Sequence, residues 1–272
     1  MARTQGSVET GGSVSLLKVT NLGKSFGGVK AVDGISFELA AGELLALIGP
    51  NGAGKSTTFN IVNGQLRADV GSITFGGREL LGLPPRDIWQ LGVSRTFQIA
   101  ETFLSLTVVE NVQMALLSRD KKLYDFFTRA ANYRRDEALA LLDQVSMKPQ
   151  ADRPCSVLAY GDVKRVELAI AMANAPKLLL MDEPTAGMAP RERNDLMALT
   201  KQLVTERNMA VLFTEHSMDV VFTYADRMIV LARGRLIAGG KPLEIRDDPK
   251  VQEVYFGTGK TFEKSLTLKE ST

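Results

Sequence analysis

A glycine-rich loop between a predicted strand and a predicted helix constrains the fold of this chain more than any other feature. Residues Gly49 to Thr57 read GPNGAGKST and fit the pattern G-x-x-x-x-G-K-[ST]. The apolar run Glu43 to Ile48 before them predicts a buried strand, and Lys55 to Asn63 predicts a helix that ends at Gly64. Because such a loop binds phosphate in this context, the sequence predicts an α/β fold with a nucleoside triphosphate site.

The residue types in this loop indicate what it holds. Its glycines allow a tight turn, so that successive N–H groups and the start of the helix face phosphate oxygens. Lys55 is predicted to reach the β- and γ-phosphates, and the Ser56 hydroxyl to ligate Mg²⁺. A chance match in a glycine-rich turn is the alternative, and the flanking strand and helix argue against it. The residues predicted to contact the triphosphate are Gly49, Pro50, Asn51, Gly52, Ala53, Gly54, Lys55, Ser56 and Thr57.

Composition limits the class of protein. The 272 residues are 44% hydrophobic, enough for one large domain or two small ones with a buried core. Lysine and arginine number 33 against 31 acidic residues, without a block of like charge, so no nucleic-acid partner is expected. No apolar run approaches the ~18 residues that span a bilayer, and no secretion signal is found, which predicts a soluble protein in the cytosol. Residues 1–15 predict a flexible arm, and residues 258–272 a polar tail.

Apolar periodicity divides the chain into strand-rich and helical parts. Strands are predicted around the loop, with Gly76-Gly77 as a hairpin turn, and Thr107 to Met172 predicts a helical subdomain. Beyond it, strands alternate with a helix, which implies a parallel sheet. The remaining predicted strands are Leu16 to Thr20, Ile35 to Leu39, Ser72 to Phe75, Val93 to Phe97, Leu178 to Met181, Ala210 to Phe213, Arg227 to Ala232 and Arg235 to Ala238, and the remaining helices are Arg191 to Thr205 and Asp248 to Phe256.

Two adjacent carboxylates end one of these strands. Asp182 and Glu183 follow Leu178 to Met181, and Pro184 ends the element. Because side chains alternate along a strand, one carboxylate can hold Mg²⁺ through its water shell while the other orients or deprotonates an attacking water. A solvated strand end is the alternative, and the phosphate-loop motif in the same chain makes it the weaker interpretation.

Two further polar residues follow predicted strands. His216, the only histidine, comes after Ala210 to Phe213, at the edge where α/β sheets place ligands, and is a candidate hydrogen-bond donor to the γ-phosphate. Gln98 closes Val93 to Phe97 and is a candidate contact for Mg²⁺ or the attacking water. A lone histidine or glutamine is more often an ordinary polar residue, so both interpretations depend on the rest of the site.

The order of these motifs resembles that of ATP-binding cassette (ABC) proteins, the ATPase subunits of ABC transporters, over about residues 16–257. The resemblance implies a RecA-like P-loop core, an antiparallel β-subdomain and a helical subdomain at about residues 99–172. It also implies ATP and Mg²⁺ as ligands, with two cassettes enclosing two ATP molecules head to tail. The shared order is the phosphate loop, Gln98, Leu158-Ala159-Tyr160-Gly161-Asp162, Leu178 to Glu183, and His216.

The same resemblance implies a role for each site residue. Phe26 stacks on adenine, Glu183 is the general base, and His216 contacts the γ-phosphate. Ala159 and Gly161 belong to the signature segment that would close over the partner's ATP. Our hypothesis for hydrolysis is that His216 and Lys55 stabilise the transition state and that force passes through Gln98. The implied metal contacts are Ser56, Gln98 and Asp182.

Two segments depart from the family pattern. The signature is usually L-S-G-G-Q, and this chain has L-A-Y-G-D, so Ala159 lacks the hydroxyl that would reach the opposite γ-phosphate. What remains is Gly161 at the start of a helix predicted at Val163 to Ala173, whose N–H groups favour an anion. Many relatives carry an aspartate where this chain has Ala189, which puts communication across the dimer in doubt. A non-catalytic, ATP-dependent interaction subunit therefore stays an alternative.

Three segments look like the larger ATPase subunit of branched-chain amino-acid importers: Arg95 to Gln98, Leu158 to Gly161, and Thr185 to Pro190. That resemblance implies a second ABC ATPase subunit, identical or different, two membrane-spanning permease subunits and, indirectly, a periplasmic solute-binding protein. It places the chain peripherally on the cytoplasmic face of the inner membrane. Uptake of urea, amides or aromatic acids, lipopolysaccharide export, and a soluble non-transport ABC protein remain alternatives.

A segment after Gln98 is a candidate contact with the membrane subunits. Ile99 to Asn111 should form the groove that receives a cytoplasmic helix of the permease, and it includes an apolar cluster of Phe103, Leu104 and Leu106. Core packing is the alternative explanation of that cluster.

Overall fold

The structure of the chain, a computed structural model, describes residues 15–96, 102–122 and 133–256. Gln98 and Phe97 lie outside the described residues, as does the beginning of the predicted groove at Ile99. The same is true of the predicted tail at residues 258–272 and of the predicted arm except for Ser15, which begins the first strand.

The described strands are largely those that the sequence predicts, and they form two sheets. In chain order they are β1 (Ser15–Phe26), β2 (Val29–Ala40), β3 (Leu44–Ile48), β4 (Val70–Phe75), β5 (Arg78–Glu79), β6 (Val93–Thr96), β7 (Leu178–Asp182), β8 (Ala210–Thr214), β9 (Arg227–Ala232) and β10 (Arg235–Gly240).

Helices connect the strands and build the middle of the chain. They are α1 (Lys55–Val62), α2 (Pro85–Gln90), α3 (Val108–Arg119), α4 (Arg135–Gln144), α5 (Tyr160–Met172), α6 (Pro190–Arg207), α7 (Met218–Tyr224), α8 (Pro242–Arg246) and α9 (Pro249–Phe256), with single 3₁₀ turns at Lys148–Gln150 and Cys155–Val157. Within the described ranges, none of these helices has the length and apolar character needed to cross a bilayer.

The first sheet is antiparallel, in the order β2-β1-β4-β5. On β2, Ile35, Phe37 and Leu39 alternate with Ser36 and Glu38, and only the apolar set is buried. Alternation of this kind gives a sheet one buried face and one face toward solvent. The buried face of this sheet covers β3 and α1, which carry the phosphate loop between them.

The second sheet has the order β10-β9-β3-β8-β7-β6, and its neighbours from β9 to β6 are parallel. Because β3, β8 and β7 are adjacent and run the same way, their carboxyl ends lie side by side. Asp182 at the end of β7 is in register with Thr214 at the end of β8. Ligands bind at this edge of parallel sheets, so the sheet brings the predicted site residues together.

The central strand β3 separates two cores. Leu45 and Leu47 pack in the core shared with the antiparallel sheet, whereas Ala46 and Ile48 pack in the core shared with helices α3 to α6. All four side chains are fully buried. A strand of a parallel sheet that is covered on both faces needs such a continuous apolar run, which explains the composition before the loop.

The structure contains three short helices that the sequence does not predict, α2, α7 and α8, and one helix, α5, that begins three residues earlier than predicted. The helix predicted at Val163 to Ala173 is α5 and begins at Tyr160, so Gly161 lies inside its first turn. Ala159, the residue before α5, accepts no side-chain hydrogen bond, and a start without a capping side chain gives no sequence signal. Short α2, α7 and α8 were not predicted, since five to seven residues show too little periodicity.

Candidate functional site

Two glycines of the phosphate loop occupy positions that admit no side chain. Gly54 has φ +104°, and a Cβ on it would lie 2.4 Å from the Ala31 carbonyl oxygen. A Cβ on Gly49 would lie 2.3 Å from the Leu231 carbonyl oxygen. The loop is therefore held between the β2 strand on one side and the end of β9 on the other.

Lys55, the first residue of α1, is folded back over the loop. Its Nζ donates to the carbonyl oxygens of Gly49 at 2.6 Å and of Pro50 at 3.2 Å, and the residue is 7% exposed. Burial lowers the pKa of the Lys55 ammonium, and the charges of Glu183 and Asp182 partly oppose that shift. The two carboxylates predicted from β7 therefore act electrostatically on the loop lysine.

Asp182 is buried at the end of β7 and has a partner on each carboxylate oxygen. Oδ1 accepts from the Thr214 hydroxyl at 2.8 Å, and Oδ2 accepts from Arg95 Nη2 at 2.9 Å. Arg95 Nη1 in turn donates to the side chains of Asn60, on α1, and Gln65. The arginine thus joins the strand end to the helix of the phosphate loop.

Glu183 and His216 meet across adjacent strand ends. His216 Nε2 lies 2.9 Å from Glu183 Oε1, and the side chains are 50% and 23% exposed, respectively. Glu183 has φ +48°, the left-handed conformation that non-glycine residues rarely adopt. Its N–H donates to the Thr214 hydroxyl at 3.0 Å, which fixes this conformation. A carboxylate and an imidazole are therefore presented together to solvent.

Other predicted site residues lie further out. Phe26 ends β1 and is 50% exposed, with Lys24 Nζ 5.5 Å from its ring centre. Ser56, in the first turn of α1, is exposed, while Ala53 is buried. Gln98 lies outside the described residues.

The signature segment, Leu158 to Asp162, lies against the segment that follows Glu183. A Cβ on Gly161 would meet the Glu192 carboxylate at 3.1 Å, in the first turn of α6. A Cβ on Gly187 would meet the Tyr160 ring at 3.7 Å. Gly161 therefore lies beside the first turn of α6, and Tyr160 lies beside Gly187.

The oxygen ligands at this site suit Mg²⁺ better than a metal that takes all of its ligands from protein side chains. Among the described residues, no three or more His, Cys, Asp or Glu side chains form a group that could hold a metal ion. Mg²⁺ keeps several waters and takes one or two protein oxygens plus substrate phosphates. A buried carboxylate at Asp182 and an exposed hydroxyl at Ser56 meet that need.

Arg95 and Thr214, which contact Asp182, were not predicted as site residues from sequence, and neither was Glu215, which accepts from the Thr185 N–H at 3.0 Å. Thr214 and Glu215 follow the apolar run of β8, so their position at a strand's carboxyl end was an available signal. Arg95 lies inside β6, and nothing in the sequence alone indicates that its guanidinium reaches Asp182.

Comparison with known proteins assigns the class. The ABC transporter family model matches residues 32–186, more than half of the chain and the part that contains the phosphate loop, Asp182 and Glu183. The chain therefore belongs to the ABC transporter family, as an ATP-binding cassette. Residues 235–261 match a second model, described as the branched-chain amino acid ATP-binding cassette transporter. This second match confirms the narrower resemblance drawn from the sequence.

Curated relatives are similar in sequence to this chain over nearly its full length. The high-affinity branched-chain amino acid transport ATP-binding protein LivG of Salmonella typhimurium is 39% identical over 252 residues, which cover 90% of this chain and 99% of LivG. The corresponding protein BraF of Pseudomonas aeruginosa is 37% identical, over 89% of this chain and 98% of BraF.

Solved structures share the fold. An ATP-binding cassette of an ABC transporter in its ADP conformation has a TM-score of 0.81 and 32% identity, over 90% of this chain and 100% of that one. A nucleotide-free cassette gives 0.80 and 31% with the same coverage. A third, described as the dimeric structure of a bacterial ABC transporter cassette, gives 0.71 and 25%, over 83% of this chain and 98% of that one. The predicted fold class is confirmed.

Proposed function

We propose that this chain is the ATP-hydrolysing subunit of an ABC importer that takes up branched-chain amino acids. The observation that carries the proposal is the pair of Glu183 and His216, 2.9 Å apart at the sheet edge that also carries the phosphate loop. Relatives named as branched-chain amino acid transport ATP-binding proteins support the cargo. The match of the C-terminal model to residues 235–261 supports it independently.

Hydrolysis would divide the work among the residues of this edge. Lys55 exchanges the loop carbonyls for the β- and γ-phosphates, whose oxygens are better partners for a buried ammonium. Glu183 accepts the proton of the attacking water, and His216 donates a hydrogen bond to the γ-phosphate. The loop N–H groups from Gly49 to Thr57 hold the triphosphate, and Phe26 stacks on the adenine through its exposed ring.

Mg²⁺ would be held by Ser56 and Asp182, with Gln98 as a further proposed contact. When bound, the ion offsets the negative charge of the triphosphate. Asp182 is oriented for this role, because Thr214 donates to one of its oxygens and Arg95 to the other. A carboxylate oxygen that accepts one hydrogen bond keeps a second lone pair for a metal ion.

The site would be completed by a second cassette. Ala159 and Gly161 open α5, whose first-turn N–H groups suit an anion. The solved relative described as a dimer supports an arrangement in which this segment closes over the ATP of the partner. The cassette domain would extend over residues 16–257, with its helical subdomain at about residues 99–172.

Membrane association would be peripheral, on the cytoplasmic face of the inner membrane, beneath two permease subunits served by a periplasmic solute-binding protein. An exposed apolar patch of Phe103, Leu104 and Val157 supports such a contact, since each of these side chains is more than half exposed. The Ser156 N–H donates to the Leu104 carbonyl at 3.2 Å, which brings the two parts of the patch together.

Replacing Glu183 by glutamine tests the catalytic assignment. The amide keeps the size of the side chain but cannot take a proton, so ATP binding should persist while turnover falls by about 10²- to 10⁴-fold. ATP affinity and steady-state hydrolysis of the full chain measure the two effects. Glu206→Gln, on the exposed face of α6, is the matched control and should hydrolyse ATP normally. Unchanged turnover in Glu183→Gln would exclude Glu183 as the base.

The cargo is tested by transport. Membrane vesicles that contain the chain with its permease and binding-protein partners should take up leucine in an ATP-dependent manner, and Glu183→Gln should abolish that uptake. Uptake of urea, an amide or an aromatic acid in place of leucine would overturn the cargo while leaving the ATPase assignment intact.

A further inference from the structure

Glu215 is a buried carboxylate that the proposed hydrolysis does not use. It follows β8 directly, precedes His216, and is 2% exposed. Within the described part of the chain, its partners are backbone N–H groups and one hydroxyl, and none is a cation. A buried carboxylate held by neutral donors is costly unless each oxygen is well satisfied. Its retention at this place requires an explanation.

The two oxygens of Glu215 hold two different segments. Oε1 accepts from Thr185 twice, from its N–H at 3.0 Å and from its hydroxyl at 2.6 Å. Oε2 accepts from the N–H of His216 at 3.1 Å and of Ser217 at 3.4 Å. Thr185 lies two residues after Glu183, so one carboxylate connects the segment of the proposed base to the loop of the histidine.

The connection made by Glu215 acts on Glu183 and His216, whose positions depend on hydrogen bonds with neighbouring residues. Glu183 has a left-handed backbone at φ +48°, an unfavourable conformation for a non-glycine residue that persists only where neighbours fix it. The Thr214 hydroxyl fixes the residue from its amino side, and Glu215 fixes the chain two residues later. His216 is half exposed at its side chain and is held at its backbone by the same carboxylate.

A third segment is tied to the histidine loop. Arg193 Nη1, on α6, donates to the Ser217 hydroxyl at 2.5 Å. The His216 loop is therefore attached to the loop between β7 and α6 through Glu215 and Thr185, and to the first turn of α6 through Ser217 and Arg193. These hydrogen bonds couple the two loops.

We propose that Glu215 is a positioning residue for ATP hydrolysis, which fixes the Glu183 carboxylate and the His216 imidazole in register across the ends of β7 and β8. The proposal rests on the proposed function, in which these two groups act on the γ-phosphate and the attacking water. A carboxylate suits the role because it offers two acceptor oxygens, one for each segment. Glutamine has one acceptor oxygen, so its NH₂ group would face donors on one side.

The experiment compares kcat, KM and thermal stability of the full chain for Glu215→Gln and Thr185→Val, with Thr185→Ser as the conservative rescue. Small misplacements of catalytic groups cost up to about 10²-fold in rate, so kcat should fall about 10- to 100-fold in the first two variants. KM for ATP should change less than about 3-fold, because the phosphate loop is untouched. Thr185→Ser keeps the hydroxyl and should restore kcat to near the wild-type value.

A matched control separates positioning from stability. Glu43 is half-buried and likewise bridges two segments, accepting from Arg227 at 2.8 Å and from the Ala40 N–H at 2.8 Å, but at the end of β3 away from the phosphate loop. Glu43→Gln should lower the unfolding temperature without a change in kcat. If folded Glu215→Gln keeps wild-type kcat while Glu183→Gln loses turnover, the positioning role is wrong and the proposed function stands. If Glu183→Gln also keeps its turnover, the proposed function itself fails.

Discussion

Asp182 and Glu183 are neighbours in the chain, yet their surroundings suit them to different tasks. Asp182 is 9% exposed and has a hydrogen-bond partner on each oxygen, so it is a fixed negative charge. Glu183 turns out of the strand through its left-handed backbone and shares its Oε1 with His216. A fixed charge suits a cation, and a more accessible carboxylate suits a water molecule.

Cys155 provides a residue-scale prediction. It is the only cysteine, it is 1% exposed, and its sulfur accepts from Asn111 Nδ2 at 3.2 Å. Burial raises the pKa of the Cys155 thiol from 9.0 to about 11, so its thiolate fraction at pH 8 is about 100-fold below that of an exposed cysteine. We expect iodoacetamide to label the folded chain slowly at pH 8, and faster as the pH rises toward 11.

Unfolding is the control for this prediction. In concentrated urea the thiol is exposed and its pKa returns to the ordinary value, so labelling at pH 8 should be complete within minutes. Mass spectrometry of the intact chain measures the labelled fraction. Rapid labelling in native buffer would contradict the burial of Cys155.

The positions of Lys55 and His216 at this edge of the sheet were predictable, because each follows a predicted strand that the structure contains. The distances between site residues were not predictable. The contact of Glu183 with His216, for example, depends on β8 lying beside β7. Arg95 shows the same limit more strongly: its ion pair with Asp182 joins residues 87 positions apart, and side-chain direction within a strand does not name the partner.

At the scale of elements, α5 begins without a capping side chain. Ala159 is its N-cap residue, with φ −65° and ψ 153°, and makes no side-chain hydrogen bond. These angles are those of an ordinary N-cap, so a serine there can accept from a first-turn N–H without rearrangement. Ala159→Ser should raise the free energy of unfolding by about 1 kcal/mol, within the 0.5–2 kcal/mol usual for such caps. Urea denaturation of the full chain measures the change.

The same substitution inside a helix should have the opposite sign. Ala198 lies on the exposed face of α6, where serine has a lower helix propensity than alanine, so Ala198→Ser should cost about 0.5 kcal/mol. If both substitutions stabilise the chain, or if neither does, the missing N-cap side chain does not lower the stability of α5.

Element boundaries were predictable where a capping residue or a glycine marks them. Helix α3 begins after Thr107, whose hydroxyl accepts from the Glu110 N–H while the Glu110 carboxylate accepts from the Thr107 N–H, and both residue types are start signals. The start of α5 has neither signal, which accounts for the three-residue error there. Short α8 escaped prediction for lack of length.

For the whole molecule, the alternation of strands and helices predicted a parallel sheet, but not the strand order β10-β9-β3-β8-β7-β6. That order depends on which apolar faces pack together across the chain, and periodicity carries no information on partners. The division of β3 between two cores follows from it, with Leu45 on one side and Ala46 on the other. The order of the motifs indicated the strand arrangement that periodicity could not, since it pointed to a family whose fold is known.

The exposed apolar patch of Phe103, Leu104 and Val157 gives a prediction for the proposed assembly with a permease. Asn111 holds the Phe103 backbone through both its N–H, at 2.8 Å, and its carbonyl oxygen, at 3.1 Å, so the segment keeps its shape without its outward side chains. Leu104→Asp should therefore leave folding and the ATPase activity of the isolated chain within about 2-fold of wild type. Copurification with the permease and ATP-dependent uptake should fall at least about 10-fold, as for a central interface residue.

The control is the same chemical change on another exposed leucine. Leu243, in α8, is 64% exposed against 57% for Leu104, so Leu243→Asp introduces an equal charge at a comparable exposure. It should leave uptake unchanged, because α8 lies beside β10, at the other end of the parallel sheet from β6. Normal uptake with Leu104→Asp would show that the permease contacts a different surface. Loss of uptake in both variants would mean that added charge, and not the patch, is responsible.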